Sequence, residues 1–196
     1  MVTHKAWKKN LLIKYLRPRD FRRGEMEGNM FKKMRRFKQQ LSQEKCIEIL
    51  TNEPHGVLSL ISDTGYPYGF PITHWYDEKN GHIYFHGAKE GHKIDAIKNN
   101  PKVSMSIIDQ EDVIEEELTT YFRSVILFGK ARILQEDDEI YHAIKTLGLK
   151  YNEDEVTVEK EIQREWKALC CIEITIEHIS GKQAIELVNK NYQDLF

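Results

Sequence analysis

From residue 168 to residue 177 the chain alternates with a period of two: Cys170, Ile172, Ile174 and Ile176 fall on one side, and Glu173, Thr175 and Glu177 on the other. Such alternation is the mark of a strand with one buried face. It puts Cys170 in a core, where a thiol behaves as a small hydrophobe and not as a redox group. Strand-like stretches recur at 57–62, 67–76, 82–86, 102–108 and 119–134, the last as one long strand or two bent near Gly129. Asp63-Thr64-Gly65 and Asn80-Gly81 supply hairpin turns, so neighbouring strands run antiparallel.

Between these stretches the period becomes helical. Ser42 suits the N-cap of a helix that buries Cys46, Ile49 and Leu50 and stops before Pro54. Residues 89–100 form a second, with Ile94 and Ile97 inward and Asn99-Asn100-Pro101 as its stop. Residues 137–151 and 158–166 suit two more, and 109–117 read as an exposed acidic loop. Hairpins with helices spliced between them point to an α+β fold, mainly β: an antiparallel barrel with peripheral helices.

Composition sets limits. Hydrophobic residues make up 40% and charged residues 31% of the 196 positions. No apolar run approaches the roughly 18 residues of a membrane span, and Leu11-Leu12-Ile13 is broken by Lys14 before it could form a secretory signal. Three cysteines, two of them adjacent, make no disulfide framework. The chain is expected in the cytoplasm, with no membrane partner. Residues 1–38 carry 13 of the 29 Lys and Arg but only 3 of the 31 Asp and Glu. This basic arm is expected to be a solvated terminus and not a nucleic-acid site. Met26-Glu27-Gly28-Asn29-Met30 can be encoded by a purine-rich stretch resembling a bacterial ribosome-binding site. The expected native start is therefore Met30, with 1–29 a basic extension or translated leader and 30–196 the folded domain.

Several familiar sites are missing: no Gly-x-Gly-x-x-Gly after a strand, no P-loop and no Gly-x-Ser-x-Gly elbow. His82 and His86 have a tempting spacing, but on a strand they lie about 13 Å apart. No further ligand pattern completes a metal site, and none is expected. The informative stretch runs from Ile83 to Lys93, where a strand ends at His86, Gly87 and Ala88 turn the chain, and Lys93 falls in the first turn of a helix. An ammonium beside free helix N–H groups suits a phosphate; the plain alternative is a solvent-facing lysine. Arg123 and Ser124 offer a second cation and a hydroxyl. Pro71 has no N–H for a ladder, so it marks a bulge or an edge, either open to a flat ligand or blunted against aggregation.

Taken together, Met34-Arg35-Arg36, Gly56-Val57-Leu58-Ser59-Leu60, Gly65-Tyr66-Pro67-Tyr68-Gly69-Phe70-Pro71-Ile72, Ile83-Tyr84-Phe85-His86-Gly87-Ala88, Gly91-His92-Lys93, Tyr121-Phe122-Arg123-Ser124-Val125-Ile126, Phe128-Gly129-Lys130-Ala131 and Ile179-Ser180-Gly181-Lys182 stand in a recognisable order. In this the chain resembles the nitroimidazole-resistance branch of the pyridoxamine-phosphate-oxidase-like flavoproteins, from about Met30 to Lys182.

The resemblance implies an FMN-binding split barrel that works as a homodimer with flavin at the subunit interface. Lys93 would hold the FMN phosphate, with Arg123 and Ser124 near it, from the same chain or from the partner chain. Backbone around Leu58-Ser59 and Ile72-Thr73 would flank the flavin ring. Pro71, Gly87, Ala88 and His92 complete the expected cofactor set, and His86 would stand near both substrate and flavin as the catalytic group. Gly87 departs from the family, which often has a small polar residue there. The implied activity is a flavin-dependent reductase, passing electrons from NAD(P)H to a small acceptor such as a nitroimidazole. A flavin carrier or sensor, or a haem-binding barrel with His86 or His92 as axial ligand, are the competing readings. Pyridoxamine phosphate oxidation itself is not expected, because no arginine cluster for a substrate phosphate is evident.

Overall fold

In a computed structural model, which describes residues 30–189, the alternating stretches become seven strands. They are β1 (His55–Ile61), β2 (Pro67–Thr73), β3 (Trp75–Asp77), β4 (His82–Ala88), β5 (Lys102–Ile114), β6 (Thr119–Ile133) and β7 (Leu169–Gln183). The helices are α1 (Gln43–Asn52), α2 (His92–Asn99), α3 (Asp137–Tyr151), α4 (Glu155–Glu165) and a short α5 (Ile185–Asn189). The expectations of a leader at 1–29 and a start at Met30 lie outside the described residues.

All seven strands join one sheet in the order β2-β1-β5-β6-β7-β4-β3, each neighbour antiparallel. The two edge strands, β2 and β3, are consecutive in the chain with only His74 between them. The sheet must therefore curl until its edges approach, yet no ladder joins them among the described residues. The barrel is split and not closed.

The stretch 67–76 is thus two strands, not the single one its sequence suggests, and the break falls at His74 and not at Pro71. His74 is fully buried. Its Nε2 donates to the Leu50 carbonyl (2.9 Å), its N–H to the Pro54 carbonyl, and its own carbonyl accepts from the Tyr151 hydroxyl (3.0 Å). Burial pushes its pKa down to about 4, so the ring is neutral and fixed in the Nε2–H tautomer.

Leu58, Leu60, Phe85, Met105, Ile107, Leu127, Ile172 and Ile174 fill the barrel, closed over by Ile49 and Leu50 of α1 and Ile94 and Ile97 of α2. Ser42 caps α1 as its sequence requires, accepting from the Lys45 N–H at 3.2 Å. Gly129 marks a slip in register between β6 and β7, at a bulge that skips Glu177. A Cβ there would strike the Thr175 carbonyl, which is why the strand tolerates only glycine at this approach.

Two further expectations change. Residues 109–114 extend β5 instead of forming a loop, and pair with the start of β6 as a hairpin arm turned at Glu115–Glu117. One side of this arm is wet and the other is covered only by Ala184 and Leu187 from beyond β7, so its charges carry no alternation to betray the strand. On β7 the second face is not uniformly solvent-facing. Cys171 and Glu173 are buried beneath α3 and α4, which add an outer core with Tyr84, Leu134, Leu147, Val158 and Ile162. Glu173 is satisfied there by Arg132 (2.7 Å), the Tyr84 hydroxyl (2.9 Å) and His82 (3.1 Å).

Candidate functional site

The split leaves two strand edges open. β3 pairs with β4 only at His82, Ile83 and Tyr84, so among the described residues the free side of His86, Gly87 and Ala88 has no strand beside it. β2 has β1 on one side and, among the described residues, no strand on the other. Pro71 lies on that edge strand, opposite Val57, where a missing N–H is harmless. A flat group lodged in the split would meet main-chain donors and acceptors that no ladder uses.

Beside the split stands a cation with an aromatic backing. α2 opens at His92 and Lys93 after Gly91. The Lys93 Nζ lies 5.6 Å from the Phe70 ring centroid. It also occupies the space a side chain on residue 87 would need: an ideal Cβ on Gly87 would come within 2.8 Å of it. Tyr68 stacks on His92 with centroids 4.2 Å apart, and His92 Nε2 lies 3.9 Å from Asp63 Oδ1. An ammonium at a helix N-terminus, seated on a glycine, is a cradle for a phosphate-sized anion.

His86 and Ala88 point to the other face of β4, since Phe85 fills the barrel and successive side chains alternate. There they line a cavity of about 1190 Å³ together with Thr73 and His55. The opposite wall comes from α3 and α4, through Leu147, Tyr151, Val158 and Ile162. His86 is solvent-accessible at the rim, yet the surrounding protein, and secondly the Lys93 cation, lower its pKa from the ordinary histidine value. It is a neutral imidazole at physiological pH, with one N–H and one lone pair to offer.

Other expected residues lie apart. Leu58 and Ile72 turn their side chains into the core, and the main chain of Leu58 is flanked by β2 and β5. Ser59 is half-buried on the outer face, opposite Gly69 and Ser104. Thr73 faces the cavity, its Oγ1 3.1 Å from His55 Nδ1. Arg123 is buried and ion-paired to Asp109 at 2.7 Å. It stands opposite Gln183 on β7, whereas His86 stands opposite Cys171. That is roughly 40 Å along the strand at ~3.3 Å per residue. One chain does not bring Arg123 and Ser124 to Lys93.

The sequence predicts both helices, at 137–151 and 158–166, but sequence reasoning missed their place as the wall over His86. Its signal was the spacing of Val158 and Ile162, apolar positions that need a partner face; Leu147 on α3 supplies it.

Among the described residues, no three His, Cys, Asp or Glu side chains converge to hold a metal ion, and no helix is long and apolar enough to cross a membrane. No curated protein matches the sequence. Solved structures do match. A candidate 5-nitroimidazole antibiotic resistance protein from Bacteroides thetaiotaomicron is 18% identical, with a TM-score of 0.60 over 74% of this chain and 86% of its own. A conserved hypothetical protein from Mycobacterium tuberculosis is 15% identical, with a TM-score of 0.64 over 81% and 95%. An FAD and heme binding protein from Mycobacterium smegmatis is 19% identical, with a TM-score of 0.56 over 76% and 74%. At these identities the likeness is one of fold. The sequence itself matches the model of the pyridoxamine 5'-phosphate oxidase family through residues 42–183, from the cap of α1 to the end of β7, and the chain belongs to that family.

Proposed function

We propose that this protein is a cytoplasmic flavin-dependent oxidoreductase that binds FMN along the barrel split and reduces a small acceptor, such as a 5-nitroimidazole, with electrons from NAD(P)H. The observation that carries this is the Lys93 ammonium, seated on Gly87 at the start of α2 beside two open strand edges. The two relatives described as a nitroimidazole-resistance protein and as an FAD and heme binding protein support a flavin and a nitro acceptor.

Lys93 would hold the phosphate, with the N-terminal N–H groups of α2. The edges at Ile72-Thr73 and His86-Ala88 would face the ring. When bound, the flavin supplies hydride and electron transfer between nicotinamide and acceptor. His86, being neutral, positions the acceptor by donating one hydrogen bond and does not act as a fixed positive charge.

A homodimer completes this reading. The outer face of β1, β5 and β6 exposes Val57, Ile108, Ile126 and Phe128, each at least 38% accessible. Val57, Ser106 and Ile126 align across three strands in register, and Ser59, Ser104 and Phe128 form the next row. Small residues between large apolar ones suit a flat, self-complementary contact. The same face carries Ser124, so a second copy would bring Ser124 toward the phosphate of the first; Arg123 alternates to the opposite face of β6, buried against Asp109.

A haem reading has one observation in its favour: a neutral histidine at the rim of a large apolar cavity. The absorption spectrum separates the two, followed by anaerobic titration with NADPH and NADH. A flavin doublet bleached by either nucleotide is the expected result; a single intense haem band, or a flavin that never bleaches, contradicts it.

A further inference from the structure

The end of β7 that pairs with Ala88 lies at the split; its other end carries a second cavity, of about 320 Å³, built on the Met34-Arg35-Arg36 motif that the proposed function leaves unused. Phe37–Gln39 form a single 3₁₀ turn, in which residues three apart eclipse, so Arg36 and Gln39 fall on one side. The turn is tied to β7: Gln40 bridges Lys182, and the Leu41 N–H donates to the Gly181 carbonyl at 2.9 Å. Arg35, Arg36 and Lys38 line the cavity with Phe37 and Gln39, and Ile185 of α5 completes the lining. No acid lines it, and among the described residues no ion pair engages any of these three cations. Phe37 is 70% exposed, an aromatic ring laid open to solvent. Gln39 is the opposite case: it is 4% exposed, and its Oε1 is buried with no hydrogen-bond partner among the described residues. A buried amide without a partner costs stability, and a ligand that bonds it removes that cost.

We infer that this cavity is a binding site for a nucleoside phosphate with an adenine-type base. Three cations without an acid among them call for a group with more than one negative charge, and phosphate accepts from guanidinium and ammonium alike. The open Phe37 ring offers a face on which a planar base stacks. The Gln39 amide has a donor side and an acceptor side, which the amine and the adjacent ring nitrogen of adenine complement. Its terminal torsion is broad and two-fold, so either amide atom can face the cavity. A bare phosphate or a sugar phosphate would satisfy the cations and leave Phe37 and Gln39 unused. The volume lies at the small end of ligand pockets and suits a mononucleotide. None of the lining residues belongs to the flavin site described above, so the inference does not rest on that reading.

The test is calorimetric titration of the purified full-length chain with AMP, adenosine and ribose 5-phosphate. AMP is expected to bind at least about 10-fold more tightly than either fragment, and more weakly as salt is raised. A double variant, Arg35→Ala with Arg36→Ala, alters only exposed side chains. It is expected to lose about 10-fold or more in AMP affinity, with flavin content unchanged. Gln39→Leu is expected to lose AMP affinity as well while melting no lower than the wild type, because it removes the unpartnered amide. Phe37→Ala, at an exposed ring, serves if Gln39→Leu fails to fold, and is expected to erase the preference for AMP over ribose 5-phosphate. Ribose 5-phosphate binding as tightly as AMP would overturn the inference and leave a plain phosphate site. No AMP binding would overturn it, as would AMP binding that Lys93→Met abolishes and the double arginine variant keeps, since AMP would then sit in the flavin cradle. A chain that takes AMP in this way and rejects FMN would leave this site standing and sink the flavin reading. Normal FMN binding with no AMP binding would do the reverse.

Discussion

The Nζ of Lys93 lies where a side chain on Gly87 would begin, 2.8 Å from an ideal Cβ. Glycine at this position is what lets the ammonium fold back against β4. Gly87→Val should push the lysine tip away. The tip is flexible, so stability should change by no more than about 1 kcal/mol. FMN affinity should fall by about 10-fold or more. Fluorescence titration with FMN and a thermal melt separate the two effects. Unchanged FMN affinity in a folded variant would show that the seat on Gly87 is irrelevant to the anion.

His74 links stability to pH. Its folded pKa of about 4 lies below the ordinary value of about 6.5. As pH falls, the unfolded chain takes up this proton first, so the native state loses ground between those two values. The full contribution is present above pH ~6.5, and roughly 3 kcal/mol is gone by pH ~4. Denaturant unfolding across that window should show the slope. His74→Gln should be less stable at neutral pH and lack this part of the slope. An identical slope in the variant would assign the acid sensitivity elsewhere.

Glu173 is 5% exposed, accepts from Arg132 and Tyr84, and lies 3.1 Å from His82 Nδ1. Burial alone would raise its pKa, but these donors outweigh it and the net shift is downward. Glu173→Gln removes the charge and offers the arginine a donor in place of an acceptor. The loss should be about 1.5–3 kcal/mol, because Arg132 is half-exposed and keeps Glu139. Urea unfolding measures it; a loss below about 0.5 kcal/mol would mean that water already satisfies Arg132.

The outer face of β1, β5 and β6 should be a subunit interface. Ile126→Asp and Phe128→Asp alter exposed positions, so the fold should survive. Light scattering should then report a monomer, with bound FMN reduced in proportion, because Ser124 no longer arrives from a second copy. A variant that stays dimeric, or a monomer with full FMN, would contradict that arrangement.

Much of this architecture is legible in the sequence wherever one face of an element is wet and the other dry. The alternation of Cys170, Ile172, Ile174 and Ile176, the Ser42 cap and the edge role of Pro71 all follow from local chemistry. His74 escapes because nothing nearby announces a polar ring that becomes buried through hydrogen bonds to Leu50 and Tyr151, residues distant in sequence. Residues 109–114 escape because Asp109-Gln110-Glu111-Asp112 show no apolar alternation, and the residues that cover the arm, Ala184 and Leu187, lie far along the chain. Glu173 looks solvent-facing because its burial depends on helices far along the chain. The site divides in the same way. Lys93 beside Gly87 is local and could be anticipated, whereas the cavity under His86 is built by α3 and α4, whose apolar spacing asks for a partner face without saying where they dock.

The most direct test is the flavin content of the purified chain beside that of Lys93→Met and Lys93→Arg. The wild-type protein should show a yellow flavin doublet or acquire it with added FMN. Lys93→Met should lose at least about 10-fold in FMN affinity while keeping its fold, and Lys93→Arg should retain much of it, since a guanidinium also binds phosphate. A colourless wild-type chain that rejects FMN, or a methionine variant that binds it as tightly as the lysine, would contradict the account at its centre.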